Sequence, residues 1–176
     1  MRENILLTGR PGVGKTTVIR RVVEQLEGWK VHGFYSQEMR EGRRRVGFQV
    51  VTLDGQRGRL AEVGFTSPYR VSRYGVDVES FERVALPTLA APQADLIVVD
   101  EIGKMECFSR AFREAVQRAL EGPAPVLGTI GRGGPPFMKS IRQREDVRLI
   151  EVTRANRMEL PTRLAQMLIE LRGEKT

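Results

Sequence analysis

Two short stretches of the sequence carry residue types that can bind a phosphate chain and act on it. The first is GRPGVGKTT, from Gly9 to Thr17, which fits the pattern G-x-x-x-x-G-K-[ST]. The second is the acidic pair Asp100–Glu101, which follows the apolar run LIVV. Glycines let the backbone turn so that successive N–H groups point inward, and a helix that begins behind them adds its positive end. The two stretches together predict a site for a polyphosphate and a divalent cation.

Individual positions of the glycine-rich loop have separate predicted roles. Lys15 is expected to reach the β- and γ-phosphates as a positive charge, and the Thr16 hydroxyl is placed to ligate Mg²⁺. Thr17 is a candidate for the α-phosphate. An apolar strand before the loop and an amphipathic helix after it are the setting that this motif requires. The loop residues predicted to bind nucleotide are Gly9, Arg10, Pro11, Gly12, Val13, Gly14, Lys15, Thr16 and Thr17.

The acidic pair is the second half of the predicted chemistry. An aspartate at the carboxyl end of a buried strand lies where ligands bind in open α/β sheets, so Asp100 is predicted to hold Mg²⁺ together with Thr16. Glu101 is expected to orient and partly deprotonate the water that attacks the γ-phosphate. The sequence therefore predicts Lys15 and Glu101 as catalytic residues, Thr16 and Asp100 as metal ligands, and Mg²⁺ as the cofactor.

Neutralising the charge of a transferring phosphoryl group calls for an arginine, and several candidates are present. They are Arg132 in the loop GRGGPPF, Arg154 and Arg157 after the last strand, and Arg10 within the glycine-rich loop. For each of them, solvation or an ordinary ion pair is the more usual role. An arginine acting from this chain and one acting from a neighbouring chain are both compatible with the sequence. Thr129 ends a buried strand, where its hydroxyl could bond the attacking water or the backbone.

The sequence predicts one domain over residues 1–176, in which strands alternate with helices to position these groups. This alternation favours an α/β fold with a mainly parallel sheet and helices on both faces. Three apolar runs separated by Glu41–Gly42 and Asp54–Gly55 predict a small antiparallel meander inserted over about residues 31–63. Residues 64–75 and 131–137 are predicted loops. Further strands are predicted at 4–8, 96–99, 125–130 and 147–152, and helical apolar stripes at 18–26, 76–92, 108–120 and 160–171.

Composition narrows the class of protein. No apolar run approaches the roughly 20 residues of a membrane helix, and no signal peptide is visible, so a cytoplasmic protein without a membrane partner is expected. One cysteine, Cys107, excludes an intramolecular disulfide, and a single histidine excludes a histidine-based metal site. The net charge of +7 makes nucleic acid a possible partner, but the charge is spread along the chain and does not indicate one. The oligomeric state is undetermined by sequence.

A second pattern overlaps the acidic pair. Asp100 to Gly103 reads DEIG and so satisfies the D-x-x-G of switch GTPases, whose glycine contacts the γ-phosphate. Such GTPases also carry a guanine-reading N-K-x-D motif, and the nearest stretch here, TRAN at residues 153–156, does not fit. A G-protein switch is therefore disfavoured, and the base specificity is expected to be broad.

Several motifs in order resemble the small nucleoside-triphosphatase family, which includes the cancer-related nucleoside-triphosphatase of animals and its thermophile relatives. They are GRPGVGKTT, GFYSQEMR, RVGFQVVTLDG, YGVDVESFE, VVDEIGKMECF, LGTI and IRQREDVRLIEVTRANR. The resemblance implies a RecA-like P-loop domain, a three-layer sandwich that hydrolyses ATP, GTP and other nucleoside triphosphates with Mg²⁺. It also implies that Gly103, Lys104, Asn156 and Arg157 lie at the nucleotide site. The chain departs from the family at Gly131, where a proline is common.

Two other functions fit the same residues. A nucleotide or small-molecule kinase needs an acceptor pocket and a lid that excludes water. The meander could bind an acceptor, and the only lid-like segments are the short stretches 67–75 and 131–138. A nucleic-acid-linked triphosphatase switch is suggested only by the arginine excess. Hydrolysis with water as the nucleophile is the favoured function, because Glu101 stands next to the predicted metal ligand.

Overall fold

The glycine-rich loop and the acidic pair are carried by one continuous sheet. A computed structural model describes residues 3–174 of the chain. Its strands are β1 Asn4–Thr8, β2 Val31–Glu41, β3 Arg44–Thr52, β4 Arg57–Val63, β5 Arg70–Val71, β6 Tyr74–Val76, β7 Leu96–Ile102, β8 Val126–Ile130 and β9 Val147–Glu151. Its helices are α1 Lys15–Glu24, α2 Val78–Leu89, α3 Arg110–Glu121, α4 Pro136–Arg142 and α5 Leu160–Gly173, with a 3₁₀ turn at Glu106–Phe108.

The sheet is mixed, so the prediction of a mainly parallel sheet is wrong. The nine described strands lie in the order β5-β6-β4-β3-β2-β7-β8-β1-β9. In this spatial order, the neighbouring pairs of the half β2-β7-β8-β1-β9 are all parallel. The neighbouring pairs of the half β5-β6-β4-β3-β2 are all antiparallel. The meander has the predicted bounds, but it is not a separate insertion. Its first strand, β2, is the central strand of the sheet and also pairs in parallel with β7.

Two segments that were predicted to be loops contain regular structure. Within residues 64–75, β5 and β6 form a short hairpin, and β6 pairs with β4 to extend the antiparallel half. These strands are too short to show an alternating pattern in the sequence. In the glycine- and proline-rich stretch, α4 begins at Pro136, where the missing N–H costs no helical hydrogen bond.

Helices cover both faces of the sheet, as predicted, and each face has its own core. On one face α1 and α5 pack on Ile5, Leu7 and Val98. On the other, α2, α3 and α4 pack on alternate residues of the same strands, among them Leu6 and Val99. Successive side chains of β1 and β7 point to opposite faces of the sheet, and helices cover both faces. Side chains on both faces are therefore apolar, so these strands appear in the sequence as continuous apolar runs. The result is three layers, with the carboxyl ends of the parallel strands free along one edge.

No helix among residues 3–174 is long and apolar enough to span a membrane. The longest described helix, α5, has only 14 residues and carries several charged side chains.

Candidate active site

The predicted site residues converge at the carboxyl edge of the parallel half of the sheet. The loop after β1, the end of β7 and the loop after β8 surround a cavity of about 700 Å³. The predicted residues that line it are Gly9, Pro11, Gly12, Gly14, Lys15, Thr16, Thr17, Asp100, Glu101, Gly103 and Lys104. Residues more than 80 positions apart in sequence therefore meet here, because strands β1, β7 and β8 are neighbours in the sheet.

The glycines of the loop have backbone angles that other residues rarely adopt. Gly12 and Gly14 have φ angles of 77° and 110°, which lie in the left-handed region that only glycine occupies without strain. Gly9 is needed for a different reason as well, since a Cβ there would lie 2.8 Å from the carbonyl oxygen of Val152. The glycine pattern in the sequence thus reflects a tight backbone turn that packs against the segment following β9.

Lys15 spans the mouth of this loop. Its Nζ donates a hydrogen bond to the carbonyl oxygen of Gly9 at 2.8 Å. The lysine is at the first position of α1, so its charge lies beside the free N–H groups at the helix start. This is the arrangement that binds a phosphate, because backbone dipoles and a full positive charge act on the same small volume.

Asp100 is held by three hydroxyl groups from three different elements. Thr16 Oγ1 donates to one carboxylate oxygen at 2.7 Å, and Thr129 Oγ1 donates to the other at 2.7 Å. Ser36 Oγ donates to the backbone oxygen of Asp100 at 3.0 Å. The Thr129 hydroxyl therefore orients Asp100. The sequence had suggested that this hydroxyl bonds either the attacking water or the backbone, so its bond to Asp100 was not anticipated.

The pKa of Asp100 is raised above its usual range by burial, since its side chain is only 3% exposed. The hydrogen bonds from Thr16 and Thr129 and the charges of Arg20 and Lys15 act in the opposite direction on this pKa. A divalent cation bound at the carboxylate would stabilise its charged form further.

Glu101 faces the same cavity, and among residues 3–174 its carboxylate has no hydrogen-bonding or ion-pair partner. Burial and the neighbouring charge of Asp100 raise its pKa, while Lys15 acts to lower it. A raised pKa brings a glutamate nearer to neutral pH, where a general base transfers protons most effectively. Gly103 makes room for this side chain, because a Cβ at that position would lie 2.7 Å from Glu101 Oε1.

Glu106 is a functional candidate that sequence reasoning did not single out. It is buried, with 4% exposure, and its Oε2 has no hydrogen-bond partner within residues 3–174. A Cβ on Gly103 would meet Glu106 Oε2 at 2.8 Å as well as Glu101 Oε1, so the two carboxyl groups are close neighbours. Burial, followed by the charge of Glu101, raises the pKa of Glu106 well above its usual range. Glu106 thus lies beside Glu101, and burial favours its neutral form.

The remaining predicted residues lie outside the cavity or at its rim. Arg10 is exposed, and its carbonyl accepts the N–H of Val13 at 3.2 Å. Arg157 Nη1 donates to the carbonyl oxygen of Val13 at 3.2 Å, so it supports the loop from behind. Asn156 closes the turn after β9 through Thr153 and donates to the carbonyl of Glu151 at 2.8 Å. The structure does not bring Asn156 or Arg157 to the cavity.

All four arginines considered for charge neutralisation are exposed, and of these Arg132 lies at the cavity. Arg132 lines the cavity, but its Nη2 forms a 2.6 Å ion pair with Glu151. Arg154 is exposed on the turn after β9. Exposed ion pairs are weak, so the pairing of Arg132 leaves it able to exchange Glu151 for a phosphate oxygen. Cys107 is buried, and burial raises its pKa to about 12, which agrees with its interpretation as a small hydrophobic residue.

Glu106→Gln is expected to stabilise the ligand-free protein at alkaline pH. Folding raises the pKa of Glu106. As pH rises, this carboxyl group therefore ionises in the unfolded chain before it ionises in the folded protein. The free energy of unfolding falls over that pH range, until the pKa of the folded state is passed. The variant should melt about 3 °C or more higher than wild type at pH 8, the shift that roughly 1 kcal/mol produces. Near pH 4 the two should melt alike. Thermal melts in EDTA measure this difference.

A matched control for this prediction is Glu27→Gln, because Glu27 is exposed in the turn after α1. The control should show no pH-dependent gain. A melting temperature for Glu106→Gln at or below that of wild type at pH 8 would contradict a neutral Glu106.

The fold and the site together define an α/β protein in which a glycine-rich loop, its lysine and a buried aspartate meet at one sheet edge. A family model described as NTPase matches residues 4–165. The chain belongs to this NTPase family. The family resemblance seen in the sequence motifs is therefore confirmed.

Individual relatives match over almost the whole chain. The nucleoside-triphosphatase THEP1 of Thermotoga maritima is 44% identical over 173 residues, which cover 97% of this chain and 98% of that protein. The human cancer-related nucleoside-triphosphatase is 46% identical over 177 residues, which cover 91% and 93%. The crystal structure of THEP1 from Aquifex aeolicus superposes with a TM-score of 0.83 at 36% identity, covering 94% of this chain and 98% of that one.

Proposed function

We propose that this protein hydrolyses nucleoside triphosphates, ATP and GTP among them, to the diphosphate and phosphate, with Mg²⁺ and with little discrimination between bases. The observation that carries the proposal is the position of Glu101. Its carboxylate has no partner within residues 3–174 and lies in the same cavity as Lys15 and as Asp100, which Thr16 holds. The names of the relatives, nucleoside-triphosphatase, support the same activity. The fold proposed to carry it is the RecA-like P-loop sandwich.

The oxygen donors at the cavity suit Mg²⁺. Thr16 and Asp100 place a hydroxyl and a carboxylate 2.7 Å apart, and both are hard ligands of the kind that Mg²⁺ prefers. The described residues contain no group of three or more histidine, cysteine or acidic side chains that could hold a metal by themselves. Magnesium sites at nucleotides have this sparse character, because phosphate oxygens and water complete the coordination. When bound, Mg²⁺ would supply positive charge to the β- and γ-phosphates.

Each catalytic step is assigned to a residue of this chain. The N–H groups of the loop and Lys15 bind the phosphate oxygens, and they hold the γ-phosphate at the end of the cavity nearest Glu101. Glu101 then accepts a proton from the attacking water, whose oxygen forms the new bond to phosphorus while the bond to the β-phosphate oxygen breaks. Thr129 holds Asp100 in place throughout, and Arg132 is positioned to leave Glu151 and stabilise the developing charge.

Broad base specificity follows from how the cavity is lined. The described lining residues come from the glycine-rich loop, the acidic segment, the loop after β8 with the start of α4, and the antiparallel half of the sheet. Asn156 and Arg157, which the family resemblance places at the nucleotide site, instead donate hydrogen bonds to the backbone carbonyls of Glu151 and Val13. Binding through the phosphates alone does not discriminate between purines and pyrimidines.

Phosphate release measured with ATP, GTP, CTP and UTP tests the proposal. All four are expected to be hydrolysed at rates within about tenfold of one another, since a hydrophobic or open base site discriminates weakly. Excess EDTA should abolish release, and added Mg²⁺ should restore it. Release that needs an added acceptor, with the phosphate found on that acceptor, would replace hydrolysis by kinase activity. Strong stimulation by RNA or DNA with a steep salt dependence would point to a nucleic-acid-linked switch.

A further inference from the structure

The cavity that contains the acidic pair extends beyond the part that a triphosphate needs. One half is formed by the glycine-rich loop and the acidic segment. The other half, which we call the distal half, is formed by Glu38, Arg45, Phe48, Leu60, Val71 and Met105. Four of these six residues belong to β2, β3 and β4, so the antiparallel half of the sheet builds this wall.

A bound nucleotide leaves the distal half empty. The sugar and base hang from the α-phosphate, whereas the γ-phosphate is the group that lies next to the metal ligands. Asp100 and Glu101 separate the loop from the wall built by β2–β4, so the distal half lies beyond the γ-phosphate. The total volume of about 700 Å³ falls in the range of small-molecule pockets. A triphosphate bound at the glycine-rich loop would leave the distal half open to a second, smaller molecule.

The floor of the distal half is apolar and contains an aromatic ring. Phe48 is half-buried and packs edge-to-face on Tyr74, with ring centroids 5.3 Å apart. Leu60 is 1% exposed in the cavity wall, and Met105 packs against the same core. An aromatic ring gives a flat ligand an apolar surface to pack against, and methionine adapts to the shape of a ligand.

The rim of the distal half carries excess positive charge. Arg45 lies with its guanidinium carbon 5.0 Å from the centre of the Phe48 ring. Its Nε donates to the Tyr74 hydroxyl at 2.9 Å, and Arg73 donates to the same oxygen at 3.1 Å. Arg40 and Arg45 share one carboxylate, that of Glu38. Two guanidinium groups therefore face a single carboxylate, and Arg73 joins them through the Tyr74 hydroxyl and the carbonyl oxygen of Arg45.

This cluster is built to recognise an anion. Hydrogen bonds from Arg40, and then from Arg45, lower the pKa of Glu38, so the shared carboxylate is ionised at neutral pH. Arg45 is nevertheless half-exposed, and only its Nε and Nη1 atoms donate hydrogen bonds within residues 3–174. Its Nη2 is left for a ligand, and a guanidinium binds phosphate or carboxylate through several N–H groups at once.

We propose that the distal half is a second binding subsite, next to the γ-phosphate, for a small anionic molecule that carries an aromatic ring, such as a nucleoside monophosphate. The ring stacks on Phe48 over the apolar floor, and the anionic group binds Arg45. This inference rests on the proposed function, because it takes the glycine-rich loop to be the triphosphate site. The occupant lies on the side from which water approaches Glu101.

Calorimetric titration of the triphosphate-loaded protein tests this subsite. The protein is first titrated with Mg²⁺ and the β,γ-imido analogue of ATP, and then with AMP, GMP, CMP or UMP. At least one monophosphate is expected to bind to the loaded protein with one further equivalent. Adenosine, which lacks the phosphate, should bind about tenfold or more weakly, the cost of losing a charge-assisted hydrogen bond.

Three variants locate the binding. Arg45→Gln and Phe48→Leu are each expected to weaken the second event about tenfold. Arg43→Gln removes the same charge from the same hairpin, but Arg43 is exposed in the turn and lies outside the cavity lining. It should bind the monophosphate as wild type does. If one of the first two variants fails to bind the analogue because it is misfolded, the other still tests the subsite.

The two titrations separate the possible failures. Absence of analogue binding in the wild-type protein would overturn the proposed function and the subsite with it. Analogue binding followed by no response to any of the four monophosphates would overturn the subsite alone. So would an Arg43→Gln loss equal to that of Arg45→Gln, because the affinity would then come from general positive charge and not from this wall.

Discussion

Replacing Glu101 by glutamine is expected to leave nucleotide binding nearly intact and to lower turnover by a factor of about 10²–10⁴, the usual contribution of a general base. The amide keeps the shape of the side chain and its place beside Gly103, but it cannot accept a proton from water. Binding energy and catalysis should therefore separate, so that kcat falls while the affinity for the triphosphate changes little. Steady-state phosphate release together with analogue titration measures both quantities.

The pH dependence of this variant gives a second, independent readout. Because burial and Asp100 raise the pKa of Glu101, the rate of the wild-type enzyme should fall toward acidic pH, beginning above the range of an ordinary glutamate. The base must be ionised to act, so activity is lost as pH drops through that raised pKa. The residual rate of Glu101→Gln should lack this acidic limb. Normal turnover in Glu101→Gln would show that Glu101 is not the base.

Lys15→Ala is expected to weaken triphosphate binding strongly and to reduce turnover to the limit of an ordinary assay. The lysine charge is the single side-chain cation that the loop aims at the phosphate-binding volume, and its loss leaves phosphate charge uncompensated. Triphosphate affinity should fall by about 10- to 100-fold, the range for hydrogen bonds that involve charged groups. The effect on kcat/KM should be larger still, since charge on the γ-phosphate oxygens is stabilised in the transition state.

Lys30→Ala is a suitable control for this variant. Lys30 is exposed just before β2, at the opposite edge of the sheet from the cavity, and its hydrogen bonds with Asp95 and Leu96 are made by its backbone N–H and carbonyl. It removes one lysine charge without touching the loop and should behave as wild type. Analogue binding by Lys15→Ala with wild-type affinity would mean that the backbone N–H groups alone hold the phosphates.

The site could be read from the sequence where its signals are local. The loop from Gly9 to Thr16 combines a spacing of glycines with a lysine at a helix start, and each feature depends only on neighbouring residues. Asp100 was placed in the same way, because a run of buried apolar residues ends directly before it. The structure brings both to one cavity through the adjacency of β1, β8 and β7, which general rules for parallel strands already suggested.

The partners of these residues could not be predicted. Thr129 and Ser36 come from β8 and β2, and nothing near them in sequence shows that both bond to Asp100. Glu106 lies five residues after Glu101, but only the 3₁₀ turn at Glu106–Phe108 brings it back beside that carboxylate. Acidic residues at such spacings are usually exposed, so burial was the missing signal, and burial is a property of the packed chain.

The sequence alone identified the residues on which the proposed chemistry depends: the glycine-rich loop, the aspartate proposed to hold a cation and the glutamate proposed to act on water. It also determined the layered α/β class, because strand and helix periodicities are local. Only the tertiary structure decided that β2 joins a parallel and an antiparallel half in one mixed sheet. It likewise decided that Arg45 and Phe48 form the wall opposite the loop. Pairing between distant strands depends on which surfaces exclude water together, and no short pattern of residues records that choice.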